Sequence, residues 1–216
     1  MSLTLYAHPF SSYCWKVLIG LYENDTPFTY RHLEHEGAGE ELAALWPFRK
    51  FPVLVDNGRT VTESSIILEH LDQRHPGPTR LLPDDPKAAL GVRFMDRFFD
   101  MYVMTPMNKP VAEALRPDGR RDTALAEAAN ELDLAYAWLE GVMAERTWAA
   151  GEAFTMADCA AAPSLFYADW VHQIGEDYPA LAAYRARLLA HPSVSRCVEE
   201  ARPYRPYFPL GAPDRD

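Results

Sequence analysis

Two adjacent hydroxyl groups, those of Ser11 and Ser12, lie where a strand-like pattern gives way to a helical one, in the run PFSSYC that begins at Pro9. A hydroxyl at a helix N-terminus lies beside free backbone N–H groups and the positive end of the helix dipole, and together these stabilise a thiolate. Serine is also a common helix cap, which is the simpler interpretation of this motif taken alone. The motif therefore predicts either a thiol-activating site or an ordinary N-cap.

A second feature is the dipeptide Phe51-Pro52 at the start of an apolar strand pattern. Proline cannot donate to a β-ladder, so a proline at the entry of an interior strand is consistent with a cis peptide bond. That geometry would present the backbone of Phe51 to a peptide ligand. A trans proline at the end of a strand explains the local sequence equally well.

A third feature is the run TESS at positions 62–65, where a strand pattern meets a helical one. Ser64 offers a hydroxyl and a backbone N–H at a helix N-terminus, which suits an anion, and Glu63 can pair with an ammonium group. The two together would suit a zwitterionic α-amino acid. As an isolated motif, the run is more commonly a helix cap.

The first 76 residues carry the strands and helices that position these groups. Leu3–Tyr6 and Phe28–Leu33 read as strands with a helical pattern between them, which predicts a βαβ unit with parallel strands. Residues 51–55 and 59–62 flank Asn57-Gly58, the strongest local signal for an antiparallel hairpin. A helix is predicted from Ser64 to Gln73.

A proline-rich connector is predicted over residues 77–86, and residues 87–216 read as helical. Helical patterns cover residues 88–104, 124–143 and 179–189, and a fourth helix begins near Ala157. Thr155 and Asp158 form a capping box at its start, with a structural role only. The tail from Pro203 is predicted to be extended.

Composition excludes several classes of function. The net charge of −10 argues against a nucleic-acid partner, which needs a positive surface. Three cysteines without metal-ligand spacing indicate reduced thiols, and no stretch is apolar enough for a membrane span, so a cytoplasmic protein is expected. The histidines are scattered without metal or triad spacing, and no metal site is predicted.

The motifs taken together identify a resemblance that each one alone does not. The paired serines, PFRKFPVLVDNG at 47–58, TESSIILEHL at 62–71 and FTMAD at 154–158 resemble cytosolic glutathione transferases over nearly the whole chain. The resemblance implies a thioredoxin-like N-terminal domain with a mixed four-stranded sheet, residues 1–76, and an all-α C-terminal domain, residues 87–216. It also implies a homodimer and a serine-type active site similar to the theta and zeta classes.

That resemblance assigns a role to each feature. Ser11, or failing it Ser12, would donate a hydrogen bond to the sulfur of glutathione. Lys50 would attract the glycine carboxylate of the tripeptide. Phe51 and Pro52 would hold the cysteinyl backbone of glutathione, and Glu63 and Ser64 its γ-glutamyl group. A hydrophobic electrophile would lie between Phe10 and a wall formed by Phe98, Met101, Tyr102 and Thr105.

Three alternatives remain open from the sequence. A disulfide reductase would use Cys14 as its nucleophile, although this cysteine lies inside the helical pattern and is expected to face the core. A zeta-like isomerase would use glutathione as a true cofactor, but Tyr13 stands where that class carries cysteine. A third alternative is a protein that binds glutathione without turnover.

Overall fold

The computed structural model describes residues 2–216 and begins with a four-stranded sheet in the order β2-β1-β3-β4. β1 and β2 are parallel, whereas β1–β3 and β3–β4 are antiparallel. Asn57 and Gly58 both have positive φ (48° and 86°), as the predicted tight hairpin requires. The predicted mixed sheet is therefore confirmed. The strands are β1 (Leu3–Ala7), β2 (Thr29–His32), β3 (Val53–Asp56) and β4 (Arg59–Thr62).

Three helices accompany the sheet. The βαβ helix buries Trp15, Val17 and Leu18 completely or nearly so, because apolar residues dominate its sequence. The helix predicted from Ser64 is present and ends one residue later than expected. A short helix after β2 was not predicted, since it lacks a side-chain cap at its start. The three are α1 (Ser12–Glu23), α2 (Ala38–Leu45) and α3 (Ser64–Arg74).

The remainder of the described chain is helical, as predicted. After the connector, whose Thr79 exchanges two hydrogen bonds with Asn24 (2.9 and 3.0 Å), six α-helices follow. They are α4 (Pro86–Phe98), α5 (Thr105–Ala114), α6 (Arg121–Met143), α7 (Met156–Val171), α8 (Pro179–Ala190) and α9 (Pro192–Ala201). Within residues 2–216, no helix is both long and apolar enough to cross a membrane.

Two segments differ from the sequence-based expectation. The helix predicted to run to Met104 widens into a π-helix over Phe99–Met104, because Pro106 cannot donate to the carbonyl of Tyr102 and its ring would clash there. The prediction of an extended tail from Pro203 is wrong as far as Tyr207, because Arg202–Tyr207 forms a 3₁₀-helix, whereas residues 208–216 lie outside any helix. Its prolines fix φ near the value that this helix needs.

The core is shared between the sheet region and the helical region. α7 is buried along nearly its whole length and contacts α1. The indole of Trp15 lies 4.9 Å from the ring of Phe166 and 5.5 Å from that of Tyr167, measured between ring centroids. The phenol of Tyr167 also donates to the carbonyl of Phe10 (3.0 Å). α1 is thus held in place by both parts of the chain.

Candidate active site

A cavity of about 390 Å³ opens between the N-terminus of α3 and the π-helical segment. Its volume lies within the range of small-molecule sites. It brings together the five residues that the resemblance assigned to the backbone and charged groups of the tripeptide, but neither of the serines assigned to its sulfur. The five are Lys50, Phe51, Pro52, Glu63 and Ser64. These residues come from two separate chain segments, which the hairpin β3–β4 places side by side.

The Phe51–Pro52 bond is cis, as one of the two interpretations of the sequence predicted. Proline occupies the position just before β3, where it interrupts no ladder hydrogen bond. Phe51 is 39% exposed, although it is a large apolar residue. The entry to β3 therefore forms an accessible wall of the cavity.

The N-terminus of α3 carries unusual backbone strain. Glu63 has φ +68° and ψ 118°, a conformation that non-glycine residues rarely adopt. Such strain concentrates at ligand-binding positions, where the surrounding structure maintains it. The Glu63 side chain does not cap the helix, and Glu63 and Ser64 both line the cavity, where a ligand can meet them.

The charges around the cavity are mixed. Lys50 and Arg97 contribute cations, and Glu63 and Asp100 contribute carboxylates. A ligand that carries both an ammonium group and carboxylates can pair with such a lining, whereas a purely anionic or cationic ligand would meet like charge. Glutathione has this charge pattern.

A buried ionic network connects the cavity to the helical region. Lys16 is 1% exposed, and its Nζ lies 2.9 Å from Asp96 Oδ1 and 2.8 Å from Asp100 Oδ2. It also donates to the Ser65 hydroxyl (3.0 Å), which in turn donates to Asp96 Oδ2 (2.7 Å). Burial raises the pKa of Asp100. Because Ser65 follows Ser64 directly, the network fixes the start of α3 against α4.

Ser11 is the N-cap of α1, where its Oγ accepts a hydrogen bond from the backbone N–H of Cys14 (3.4 Å). A hydroxyl can accept and donate at once, so capping leaves the Ser11 O–H free to donate elsewhere. Ser11 and Ser12 are both half-buried and lie outside the lining of the cavity itself. The residue of this turn that lines the cavity is Tyr13.

Tyr13 is a site residue that sequence reasoning did not assign. Burial, with the nearby carboxylates of Asp100 and Glu63, raises the pKa of Tyr13 to about 12. The phenol is therefore neutral at physiological pH and can donate a hydrogen bond. Its place in the first turn of α1, beside the paired serines, was the signal available in the sequence.

Cys14 is fully buried and accepts a long hydrogen bond from the backbone N–H of His8 (3.5 Å). Burial raises the pKa of this thiol to about 12. A nucleophilic cysteine needs the thiolate form and access to its substrate, and Cys14 has neither. The prediction that it fills the core is confirmed.

The residues predicted for the electrophile lie in three places. Met101 and Thr105 line the 390 Å³ cavity. Phe98 and Tyr102, again with Met101, line an adjoining cavity of about 420 Å³. Phe10 instead lies among aromatic residues of the helical region, with its ring centroid 5.6 Å from that of Tyr167. The structure does not bring Phe10 together with the other four.

Both halves of the chain match families of known domains. Residues 5–79 match the family described as Glutathione S-transferase, N-terminal domain, and residues 95–192 match Glutathione S-transferase, C-terminal domain. The chain belongs to the glutathione S-transferase superfamily. The glutathione S-transferase fold, with a mixed sheet followed by helices, is the architecture described above.

Relatives of this superfamily member carry two kinds of name. The stringent starvation protein A homolog of Pasteurella multocida is 28% identical over 207 residues, covering 93% of this chain and 92% of the relative. Glutathione S-transferase U25 of Arabidopsis thaliana is 25% identical, with 92% and 90% covered. A glutathione S-transferase structure from Methylobacillus flagellatus with glutathione bound is 26% identical, with a TM-score of 0.79 and 91% and 98% covered.

Five further cavity residues of this glutathione S-transferase superfamily member were missed by sequence reasoning: Trp46, Ser65, Ile66, Arg97 and Asp100. Arg97 precedes the widening, in α4, whereas Asp100 lies in the π-helical segment, so the direction of Asp100 depends on where the helix widens. The extra residue in a π-turn rotates all that follows relative to an ideal α-helix. No hydrophobic period in the sequence reveals that rotation.

Proposed function

We propose that the protein binds reduced glutathione in the 390 Å³ cavity and activates its thiol for attack on a hydrophobic electrophile. The observation that carries this proposal is the convergence of Lys50, Phe51, Pro52, Glu63 and Ser64 on one cavity. In the proposal, Glu63 and Ser64 bind the γ-glutamyl head, Phe51 and Pro52 the cysteinyl backbone, and Lys50 the glycine carboxylate. Superfamily membership supports the same ligand.

Thiol activation is assigned to Ser11 in this proposal, with Ser12 as the alternative donor. A free thiol has a pKa of about 8.5, and each unit of lowering needs about 1.4 kcal/mol. A hydrogen bond to a charged acceptor, with the dipole of α1, supplies roughly 2 to 4 kcal/mol. This is sufficient to make the thiolate the major form at neutral pH.

The electrophile is assigned to the space around Met101, because this residue lines both cavities. The adjoining cavity is bounded by the aromatic rings of Phe98 and Tyr102, which favour an apolar or aromatic substrate. Holding the electrophile beside the thiolate replaces a bimolecular encounter by an oriented one. No covalent intermediate with the protein is needed.

Calorimetry with reduced glutathione and a conjugation assay test the proposal together. We expect Ser11→Ala to lower kcat/KM about 10- to 100-fold, the value of one hydrogen bond to a charged acceptor. Ser12→Ala is the matched control and should retain most activity. Absence of glutathione binding in the wild-type protein, or full activity of the Ser11→Ala/Ser12→Ala double variant, would refute the assignment.

A second candidate function is glutathione binding without turnover. Relatives that span most of this chain are named stringent starvation protein A homologs, which is not a transferase name. The ionisation of the bound thiol separates the two candidates. Ultraviolet difference spectra of bound glutathione near neutral pH should show thiolate absorbance for a transferase, whereas a protonated bound thiol favours the binding protein.

We also propose that the protein acts as a cytoplasmic homodimer. Exposed apolar side chains on α3 and α4, namely Ile66, Leu90 and Phe94, support a dimer. The three cysteines are all free and buried, which suits a reducing compartment. Sedimentation velocity of the wild type against Leu90→Glu/Phe94→Glu should show a dimer that dissociates, and a monomeric wild type would contradict the proposal.

A further inference from the structure

Two histidines and an aspartate converge at the end of the sheet away from the cavity. His70 Nε2 lies 2.9 Å, and His75 Nε2 2.8 Å, from Asp56 Oδ2. Asp56 is the last residue of β3, whereas the histidines lie in the last turns of α3 and at its C-cap. All three side chains are between 10% and 14% exposed. The sequence does not indicate this cluster, because Asp56 lies 14 residues before His70 and 19 before His75, and only the fold places the three side chains together.

We propose that Asp56, His70 and His75 form a binding site for a divalent transition-metal ion of the Zn²⁺ type. Two imidazole nitrogens and one carboxylate oxygen are a donor set suited to Zn²⁺, Co²⁺, Ni²⁺ or Cu²⁺. Mg²⁺ and Ca²⁺ prefer oxygen ligands only and are disfavoured by it. The small remaining exposure leaves room for water as a fourth ligand.

The distances fit this assignment with a small adjustment. The three candidate ligand atoms lie within 4.8 Å of one another. Ligands about 2.0 Å from a tetrahedral ion are separated by about 3.3 Å, so the imidazole rings need to shift by roughly one ångström. The rings are tilted at 52° rather than stacked, with centroids 6.2 Å apart. Rotation about the side-chain bonds of His70 and His75 can bring their nitrogens together.

The hydrogen bonds of the cluster define what metal binding must change. His70 Nε2 and His75 Nε2 both bond to Asp56 Oδ2, and a carboxylate only accepts, so each Nε2 carries a proton while no ion is bound. An ion takes the place of these two protons, and each neutral ring then carries its proton on Nδ1, where it can donate to water.

A second cluster, formed by His8, His32 and Glu34, shows why metal binding depends on whether Nδ1 can carry the proton of each ring. There, His8 Nδ1 accepts the backbone N–H of Phe10 (3.1 Å), and His32 Nδ1 accepts that of Glu34 (3.2 Å). An Nδ1 that accepts a hydrogen bond carries no proton, so in the neutral ring Nε2 must carry it. Moving that proton to Nδ1, as metal binding through Nε2 requires, would break the hydrogen bond from the backbone. This cluster is the natural control for the proposed site.

The proposed ion would join the end of β3 to the end of α3. His75 lies 11 residues after Ser64, which is about 16 Å along the helix at 1.5 Å per residue. The ion would thus act on stability rather than on the cavity. Its binding energy adds to the stability of the folded state, so the melting temperature should rise with Zn²⁺ concentration.

The test uses full-length protein without a histidine tag, stripped of metal by a chelator, and titrated with Zn²⁺ in a calorimeter. We expect one Zn²⁺ per chain, a higher melting temperature with Zn²⁺, and no such rise with Mg²⁺. His75→Gln, or His70→Gln if the first does not fold, should weaken Zn²⁺ binding more than about tenfold. His32→Gln should bind as the wild type does.

Co²⁺ provides a spectroscopic test that does not depend on stability. Its visible absorption in the wild-type protein should indicate nitrogen ligands and low coordination number, and Asp56→Asn should change that spectrum. The proposal is overturned if wild-type protein binds no Zn²⁺, if His70→Gln and His75→Gln both bind it as the wild type does, or if His32→Gln abolishes binding. Glutathione affinity should be unchanged in every variant.

Discussion

Two helix N-termini, those of α7 and α3, begin with the same backbone problem, because the first four N–H groups of a helix have no partner within it. At α7, the N–H of Met156 donates to the Leu81 carbonyl (2.9 Å) and that of Ala157 to Thr155 Oγ1 (3.3 Å). Asp158 completes this terminus by accepting from the backbone N–H groups of Thr155 (2.9 Å) and Ala149 (2.8 Å) and from the Tyr184 phenol (2.7 Å). At α3, Glu63 makes no side-chain cap. The protein thus caps the N-terminus of α7 with its own side chains, whereas it leaves that of α3 without a side-chain cap and open to a ligand.

The carboxylate residues at the two helix starts also differ in burial. Asp158 is fully buried, whereas Glu63 is exposed at the cavity. Sequence motifs looked alike at the two places, since both join a hydroxyl residue and a carboxylate residue at a helix start. A capping motif can therefore be assigned to stability or to binding only when its partners are known. Substitutions at the two termini should differ accordingly.

The largest effect is expected from Asp158→Ala. It leaves two buried N–H groups and a buried phenol without their acceptor, which costs roughly 3 to 5 kcal/mol of unfolding free energy. Urea denaturation measures this loss. Asp158→Asn retains an acceptor oxygen and should lose less. Glutathione affinity of the folded protein should remain unchanged, and a loss below about 1 kcal/mol for the alanine variant would contradict the comparison.

Ser64→Ala should have the reverse effect. Because Ser64 lines the cavity and α3 begins without a side-chain cap, removal of this hydroxyl should change the free energy of unfolding by less than about 0.5 kcal/mol. The loss of one hydrogen bond to a ligand carboxylate should weaken glutathione binding about 10- to 100-fold. Calorimetry gives the affinity and urea denaturation the stability. A destabilised protein with normal affinity would place Ser64 with the structural caps.

Glu63→Gly separates strain from binding at one position. Glycine tolerates positive φ, so this variant should gain about 1 kcal/mol of unfolding free energy while losing glutathione affinity. Glu63→Gln is the matched control, since it retains the backbone strain and loses only the charge. Both variants should bind glutathione weakly, and only the glycine variant should melt higher. Equal melting temperatures would show that the strain at Glu63 is negligible.

The smallest effect is expected from Cys14→Ser, near the N-terminus of α1. Its thiol pKa of about 12 and its complete burial exclude a catalytic role, so turnover should be retained. In the native wild type, no thiol should react with an aromatic disulfide reagent, because all three cysteines are buried. Loss of activity in a correctly folded Cys14→Ser protein would favour the reductase alternative.

Most of the fold was predictable because its signals are local. The Asn57-Gly58 turn, the alternation in the strands and the capping box at Thr155 each depend on a few neighbouring residues. The helix α2 lacked such a signal, and the 3₁₀ segment at Arg202–Tyr207 was obscured by its prolines. Elements without a cap or a clear period are the ones that sequence patterns miss.

The candidate site was predictable only in part. The residues proposed to bind the tripeptide lie on regular strand and helix ends, where local motifs indicate position. Tyr102 shows the limit: the helical spacing puts it on one face with Phe99 and Val103, yet it is 60% exposed while they are fully buried. The π-turn between them depends on Pro106 and on tertiary packing. Asp100 also lies in this π-helical segment, which is why its place in the cavity lining was not predicted.

The buried ammonium group of Lys16 makes the two regions of the chain interdependent. Both of its carboxylate partners, Asp96 and Asp100, belong to the helical region, whereas Lys16 itself lies in the core of α1. A fragment that ends near residue 76 would lose both counter-ions and would expose this ammonium group together with the apolar face of α1 that contacts α7. Grafting the sheet region alone onto another protein would therefore require polar residues in place of the α1 side chains that contact α7.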